Sequence, residues 1–142
     1  MAVRPNQVVT ATTPPSLEIL NKVVQVARTD TTAFNAFVLP KGAVIAGAYV
    51  LGPSVSDAAT TAIVDVGTNP GSADELVDSF SVKTNGKGYH AVGSAGGTSM
   101  GTQLTADTLY KAMYSETGAA SSTGGPWLVK VEYYFPQSGN SF

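Results

Sequence analysis

The chain has 142 residues, of which 43% are hydrophobic and only 13% are charged, and its net charge at pH 7 is −2. An ordinary soluble domain carries about 25% charged residues, so Thr, Ser, Ala and Gly must form much of the surface. This composition gives no basic stripe for nucleic acid and no run near the ~18 apolar residues that cross a bilayer, and the absence of cysteine excludes disulfides and thiolate metal sites.

The first twenty residues are predicted to form an extended arm. Pro5, Pro14 and Pro15 lack a backbone donor and bias the residues before them towards extended backbone. Within the arm, the β-branched stretch 7–12 is typical of an edge strand, and the stretch 16–20 is typical of a single helical turn. The predicted body of the protein therefore begins after residue 20.

Strand patterns then follow one another to the end of the chain. Each is a short run rich in β-branched or aromatic residues and bounded by Gly, Pro, Asn or Asp. The predicted strands are 22–28, 32–39, 43–51, 60–67, 80–83, 89–92, 103–106, 108–115 and 127–135.

The connections between these strands carry their own signals. The sequence Pro40-Lys41-Gly42 predicts a tight turn. Asn85-Gly86 is the strongest two-residue hairpin signal, so we expect the strands on either side of it to pair. Acidic residues favour the first turn of a helix, and the segment 73–78 is therefore predicted to be a short helix.

Alternation within the strands predicts which residues form the core. In the fourth strand Ala62, Val64 and Val66 share one face. In the last strand one face is formed by Trp127, Val129, Val131 and Tyr133.

About eight short strands at 8–12 residue spacing predict an all-β fold, a single antiparallel β-sandwich. A jelly roll, with two packed Greek-key sheets, fits this strand count best. The predicted organisation is an arm over 1–20, a β-sandwich domain over 21–136 and a C-terminal tail over 137–142.

The sequence offers few groups for catalysis or metal binding. His90 is the one histidine, and no Ser or Asp pattern around it resembles a catalytic triad. Oxygen ligands are the remaining route to a metal, and the candidates are Asp65, Asp74, Glu75 and Asp78. Calcium takes about six to eight oxygens, and no calcium-loop motif occurs. We therefore expect no metal, no cofactor and no enzymatic activity.

Several segments follow one another in a characteristic order. A strand, a Leu-Pro-Lys-Gly turn and a second strand come first, then the Asp-Val-Gly end of another strand and an acidic turn, and the last strand ends the series. The segments are Phe37–Ile45, Ala62–Thr68, Leu76–Ser79 and Val131–Phe135. This pattern resembles small β-sandwich structural proteins of tailed bacteriophages, and in particular the cement, or decoration, proteins of short-tailed phage heads. The resemblance covers approximately residues 22–135.

The resemblance implies a mechanical role. Proteins of this family lie on the outer surface of an icosahedral capsid, bridge major capsid subunits and stabilise the DNA-filled head. The implied partners are the major capsid protein and further copies of this chain, as a dimer or trimer, with no nucleic acid and no membrane. The implied location is the outer surface of a virion that is assembled in the cytoplasm of a bacterial host.

Most residues predicted to contact a partner lie in the arm. An extended segment can add a strand to the sheet edge of a neighbour, or it can complete its own sheet, and the sequence leaves both open. The predicted interface residues are Val8, Val9, Pro14, Pro15, Leu17, Ile19, Leu20 and Tyr134.

An alternative function is a receptor- or carbohydrate-binding β-sandwich module of a phage head or tail fibre. Such a module would display aromatic side chains on which sugars stack. The candidate residues are Tyr89, Tyr110, Tyr133 and Tyr134.

Overall fold

In the computed structural model, which describes residues 18–85, 88–92 and 100–136, the chain forms eight β-strands. The strands are β1 (Leu20–Val26), β2 (Phe34–Leu39), β3 (Val44–Gly52), β4 (Thr61–Gly67), β5 (Val77–Ser81), β6 (Gly88–Val92), β7 (Thr108–Thr117) and β8 (Trp127–Tyr134). The described part of the chain contains no helix, and so none long and apolar enough to span a membrane.

The strands form two four-stranded antiparallel sheets, in the orders β1-β8-β3-β6 and β2-β7-β4-β5. Consecutive strands mostly lie in opposite sheets, which is the interleaving that makes a jelly roll from two Greek keys. The predicted all-β antiparallel sandwich is therefore confirmed.

The core lies between the sheets and is built by the alternation that the sequence shows. Ala62, Val64 and Val66 on β4 are all buried. On β8 the four residues of the predicted inner face are buried as well, namely Trp127, Val129, Val131 and Tyr133. Both predicted core faces are confirmed.

The turn at residues 40–42 forms as predicted. The amide of Ala43 donates to the carbonyl of Pro40 over 3.1 Å, and Gly42 has a φ of 91°. This left-handed backbone favours glycine because a Cβ would be strained there. The turn carries the chain from β2 in one sheet to β3 in the other.

The short helix predicted over 73–78 is wrong. The amide of Ala73 donates to the carbonyl of Asn69 over 2.7 Å, and the amide of Gly71 donates to Oδ1 of Asp74 over 2.7 Å. An Asp side chain that accepts from a nearby amide, as Asp74 does, competes in this way with helical hydrogen bonds. The segment is therefore a compact loop, and β5 already begins at Val77.

The predicted hairpin at Asn85-Gly86 is also wrong, because β5 and β6 belong to different sheets. After β5, Val82 is buried in the core and its amide donates to the carbonyl of Ala62 over 2.9 Å. Asn85 closes a local turn instead, since its Nδ2 donates to the carbonyl of Ser81 over 2.7 Å. Gly86 itself lies outside the described residues.

Two further local predictions differ from the structure. Residues 103–106 form no strand: Gln103 makes an isolated bridge to Val44, and Leu104 exchanges hydrogen bonds with the turn at residues 42–43. At the other end, Glu18 and Ile19 have no regular structure and Leu20 begins β1, so the predicted helical turn over 16–20 is wrong in its described part.

Candidate functional site

His90 takes part in the packing between the two sheets. It lies half-buried on β6, and its ring centroid is 5.6 Å from that of Phe80 on β5. Because β5 and β6 belong to different sheets, this contact joins the two sheets at one side of the sandwich.

Three of the four acidic residues proposed as oxygen ligands do come together. Carboxylate oxygens of Asp65, Asp74 and Asp78 all lie within 4.8 Å of one another. Asp65 is buried and accepts a hydrogen bond from the amide of Ser79 over 2.6 Å. Burial, with the charges of Asp74 and Asp78 adding to it, raises the pKa of Asp65. These three carboxylates could hold a cation, although the amides of Ser79 and Gly71 already donate to Asp65 and Asp74.

Glu75, the fourth candidate, is not part of this group. Its carboxylate accepts hydrogen bonds from the amide and the hydroxyl of Thr68, over 2.9 Å and 2.8 Å. It therefore closes the loop between β4 and β5.

A polar network at one end of the sandwich is structural. The hydroxyl of Tyr114 lies 2.8 Å from Oγ of Ser56 and donates to Glu116 over 2.7 Å. Arg28 donates to the carbonyl of Ser121 over 3.0 Å. These contacts tie β7 to the loops after β1, β3 and β7, and they leave no buried side-chain polar atom without a partner among the described residues.

The most distinctive surface is the outer face of the β1-β8-β3-β6 sheet. The strand register aligns two rows of side chains across it, which we call the outer rows. The first row is Gln25, Leu128, Leu51 and Tyr89, and the second is Val23, Lys130, Tyr49 and Ala91. Four of these side chains are large, apolar and exposed: Val23, Leu51, Tyr89 and Leu128. Adjacent exposed apolar residues on one sheet face indicate an interaction surface.

An apolar groove runs along these rows. Its central part, about 220 Å³, is lined by Val23, Tyr49, Leu51, Tyr89, Leu128 and Lys130. A second part, about 330 Å³, continues towards one end of the sheet and is lined by Gln25, Leu51, Gly52, Pro53, Pro126 and Leu128. Because both parts share Leu51 and Leu128, we treat them as one outer-face groove.

Two tyrosines and an ion pair give this groove its polar side. The rings of Tyr49 and Tyr89 stack with centroids 5.0 Å apart, and Nζ of Lys130 lies 5.2 Å and 5.3 Å from the two centroids. Lys130 also pairs with Glu132 over 3.3 Å. A hydrogen bond to Glu132 raises the pKa of Tyr49, and a hydrogen bond to Tyr89 raises the pKa of Lys130. The cation over the rings holds both tyrosines in place.

The predicted interface residues are only partly described. Val8, Val9, Pro14, Pro15 and Leu17 lie outside the described residues. Of the rest, Ile19 is exposed before β1, Leu20 packs partly against the core opposite Tyr133, and Tyr134 is half-buried on β8. The outer-face groove contains none of these three residues.

The sequence carried a signal for this groove that alternation alone misses. Val23-Val24, Val50-Leu51 and Leu128-Val129 are apolar at consecutive positions. In a strand, consecutive side chains point to opposite faces. Apolar neighbours in a two-layer sandwich therefore indicate that an outer face is apolar as well.

The tyrosines named as sugar-stacking candidates separate into two groups. Tyr110 and Tyr133 are buried in the core, as the alternation of β8 predicted for Tyr133, so neither offers a ring for sugar stacking. Tyr89 is 54% exposed in the outer-face groove, and Tyr134 is half-buried.

Comparison of the fold with solved structures finds chains of two bacteriophage capsids. A chain of the cyanophage Pam1 capsid asymmetric unit superposes with a TM-score of 0.59 at 20% identity, over 96% of this chain and 100% of that one. A chain of the acid-stable capsid of Helicobacter pylori bacteriophage KHP30 superposes with a TM-score of 0.58 at 15% identity, over 84% of this chain and 89% of that one. The resemblance to small β-sandwich proteins of phage capsids is thus confirmed at the level of the fold.

Sequence comparison adds nothing to this: no family model and no curated protein matches the chain.

Proposed function

We propose that this protein is a capsid cement, or decoration, protein that binds the outer surface of a phage head and bridges major capsid subunits. The observation that carries the proposal is the shared jelly roll, which spans all of the chain from the Pam1 capsid and nearly all of this one. A superposition over nearly the full length of both chains favours the same kind of building block.

The surface suits a role in packing against other proteins. Only 13% of residues are charged, and the outer-face groove is lined mainly by aliphatic and aromatic side chains, with Lys130 as its one charged lining residue among those described. A surface of this kind loses little hydration on contact. A shell offers many equivalent positions, so modest contacts made by each copy add up when several copies are linked.

We also propose that copies of the chain associate as a dimer or trimer and that the arm over residues 1–20 is their main clamp. The arm has one charged residue between Ala2 and Leu17, namely Arg4. It joins the fold at Leu20, in β1, which is an edge strand of its sheet. An extended segment leaving an edge strand is well placed to reach the sheet of a neighbour.

Co-sedimentation with capsids tests the proposal. Purified protein is mixed with empty capsids of the source virus, and the bound copies are counted per major capsid subunit. We expect saturable binding at a ratio that matches two-fold or three-fold positions of an icosahedron. Failure to bind at every concentration, with the protein shown to be folded by circular dichroism, would contradict the proposed function.

The arm is tested by a chain that lacks residues 1–17, which leaves β1 complete because this strand begins at Leu20. We expect the shortened chain to bind capsids more weakly than the parent. The matched full-length variant is Val8→Asp with Val9→Asp, which keeps the length and changes the chemistry. Unchanged capsid affinity in both variants, with unchanged melting temperatures, would show that the arm is not the clamp.

A structural role also predicts that no reaction depends on His90. Replacing His90 by Gln should leave capsid binding intact, because its ring packs on Phe80 at the side of the sandwich, away from the outer-face groove. Turnover of a small molecule that disappears in this variant would contradict the non-enzymatic role.

Carbohydrate binding is the second candidate, and one observation favours it. The exposed Tyr89 stacked on Tyr49 is an aromatic platform with the charged pair Lys130–Glu132 beside it. The side chains beside this platform are Val23, Leu51 and Leu128, which offer no hydrogen bonds to sugar hydroxyls. Gln25, in the second part of the groove, is the further polar side chain in the described lining. Oligosaccharide titration followed by NMR distinguishes the two candidates, because specific binding lost in Tyr89→Ala would favour the sugar.

A further inference from the structure

The outer-face groove has the dimensions of a peptide site and not of a protein–protein interface. Four strands at about 4.8 Å spacing and two rows of side chains cover about 19 Å by 13 Å, or about 250 Å². A stable interface needs about 800 Å² from each partner. An extended peptide of about six residues spans the same 19 Å at about 3.3 Å per residue. The area therefore favours a segment of chain as the occupant.

The chemistry of the groove favours a proline-containing segment. Stacked tyrosines beside aliphatic side chains form the lining that proline-rich peptides prefer, because an extended proline helix loses little entropy on docking. The stacked pair Tyr49 and Tyr89 lies beside Leu51, Leu128 and Val23 here.

This chain supplies such a segment in its own arm. Residues 12–17 read Thr-Thr-Pro-Pro-Ser-Leu and carry no charge. We propose that residues 12–17 of one copy dock in the outer-face groove of a neighbouring copy. The inference rests on the proposed function, which brings copies side by side. It identifies the outer-face groove as the surface that part of the arm contacts.

The strand order favours a neighbour's groove over the chain's own. Leu20 pairs with Tyr133, so β1 enters the sheet at the end away from the Leu51–Leu128 row. A backbone that stays extended, as Pro14 and Pro15 favour, continues β1 backwards and leads away from that row. Thr12 and Thr13 are eight and seven residues before Leu20, so an extended backbone carries them about 23–26 Å from the start of β1, whereas the radius of gyration of a domain of this size is about 15 Å.

Engineered cysteines test the docking, since the natural chain has none. One chain carries Thr13→Cys and a second carries Leu51→Cys, and they are mixed under oxidising conditions in solution and on capsids. Leu51 lies on a central strand, two strands from the β1 edge, so simple strand addition there does not reach it. A disulfide needs Cα atoms within about 7 Å, so the bond reports docking in the groove.

The matched control is Leu109→Cys, at 38% exposure against 41% for Leu51, on a central strand of the opposite sheet. We expect the disulfide from Thr13→Cys to Leu51→Cys at about ten times the control yield or more, because docking raises the local thiol concentration towards the millimolar range. If Leu51→Cys does not fold, Leu128→Cys replaces it in the same row.

Several results overturn the proposal. Equal yields at Leu51 and Leu109, or no bond in either setting, would do so. So would an intrachain disulfide as the main product of a Thr13→Cys, Leu51→Cys double variant, which would place the arm on its own sheet. If the main disulfide joins two Leu51→Cys chains, the outer-face groove is covered by the same sheet face of a second copy and not by the arm.

The same variants keep this inference separate from the proposed function. If the protein co-sediments with capsids but no disulfide forms between Thr13→Cys and Leu51→Cys, the groove is not the docking site of the arm and the cement role is still supported. If the disulfide forms in solution but the protein does not bind capsids, docking of the arm in the groove is supported and the cement role is rejected. Oligosaccharide that shifts the resonances of Tyr49 and Tyr89 while no bond forms would assign the groove to a sugar instead.

Discussion

Tyr114 and Trp127 stack across the interior of the sandwich, with ring centroids 5.4 Å apart and ring planes 9° from parallel. Tyr114 lies on β7 in one sheet and Trp127 on β8 in the other, so the stack joins the two layers. The hydroxyl of Tyr114 extends the contact into the loops through Ser56 and Glu116. The pair therefore links the core to the loop network at one end of the molecule.

Replacing Tyr114 by Phe should keep the stack and lose the loop contacts. Because the hydroxyl is buried and one of its partners is a carboxylate, we expect the free energy of unfolding to fall by about 1–3 kcal/mol. Urea denaturation followed by tryptophan fluorescence measures it, since Trp127 is the one tryptophan.

Tyr133→Phe is the control for this change. Tyr133 is also a core residue of the sandwich, and its ring meets Phe135 edge-on at 6.0 Å. Its substitution should alter the free energy of unfolding by less than about 1 kcal/mol. Equal losses in both variants would show that the Tyr114 network adds nothing.

The core was predictable from the sequence because strand alternation is a local property. The faces of β4 and β8 follow from residue order alone, as at Val64 and Val129. The strand pairing around Asn85 was not predictable in the same way, because burial of Val82 between the sheets outweighs a good hairpin signal. Long-range packing thus decided the connections, and local pattern decided the faces.

Replacing Glu132 by Gln should lower the pKa of Tyr49. The carboxylate of Glu132 accepts a hydrogen bond from the neutral tyrosine and repels the tyrosinate, so both effects raise this pKa. Gln keeps the shape and removes the charge. Titration of the Tyr49 ring carbons by NMR measures the change.

Tyr114 is the internal control for this titration, because it lies on β7 in the opposite sheet and its hydroxyl contacts Ser56 and Glu116 instead of Glu132. Burial raises the pKa of Tyr114, and this pKa should be the same in Glu132→Gln and in the parent. An unchanged midpoint for Tyr49 would show that Glu132 does not govern the polar side of the groove.

Replacing Asp78 by Asn should stabilise the protein at neutral pH. Burial first, and then repulsion from Asp74 and Asp78, raise the pKa of Asp65 in the folded state. A carboxyl of this kind binds its proton more tightly when folded, so its contribution is fully favourable below the unfolded pKa of about 3.9 and is lost as the pH rises through the folded pKa. Removing one charge should recover about 0.5–1 kcal/mol at pH 7 and almost nothing at pH 3.

The opposite sign is expected for Asp57→Asn. Hydrogen bonds from Thr123 and Ser122 lower the pKa of Asp57, so its contribution is present above the unfolded pKa and is lost as the pH falls. Thermal melts of both variants from pH 3 to 7, in the presence of EDTA, test the pair. Destabilisation by Asp78→Asn at pH 7 would mean that the three carboxylates are not in net repulsion.

The acidic cluster and the outer-face groove differ in how far the sequence reveals them. Asp65, Asp74 and Asp78 are near in sequence, so a loop that joins two paired strands brings them together. The groove collects Val23, Leu51 and Leu128 from three strands whose order follows only from the topology. Apolar neighbours along each strand indicate which residues belong to the groove. Their alignment in one row follows only from the register of the paired strands, which the sequence does not give.

The loop between β4 and β5 should tolerate no side chain at Gly67. A Cβ there would lie 2.0 Å from the carbonyl oxygen of Ala73, which is backbone and cannot rotate away. Gly67→Ala must therefore displace the loop that holds Asp74 and Glu75. We expect a loss of about 2–4 kcal/mol, at the upper end of single substitutions.

Gly101→Ala is the comparison, because a Cβ at Gly101 would meet nothing within 4 Å although its φ is 78°. Its cost is the left-handed backbone alone, about 1 kcal/mol. Urea denaturation of both variants distinguishes the free-energy cost of the steric clash from the cost of a left-handed backbone conformation. The Gly67 variant should also release the hydrogen bonds of Glu75 to Thr68, visible as faster amide exchange at Thr68. Equal stability of the two variants, with slow exchange retained, would show that the loop moves aside freely and does not depend on the close approach at Gly67.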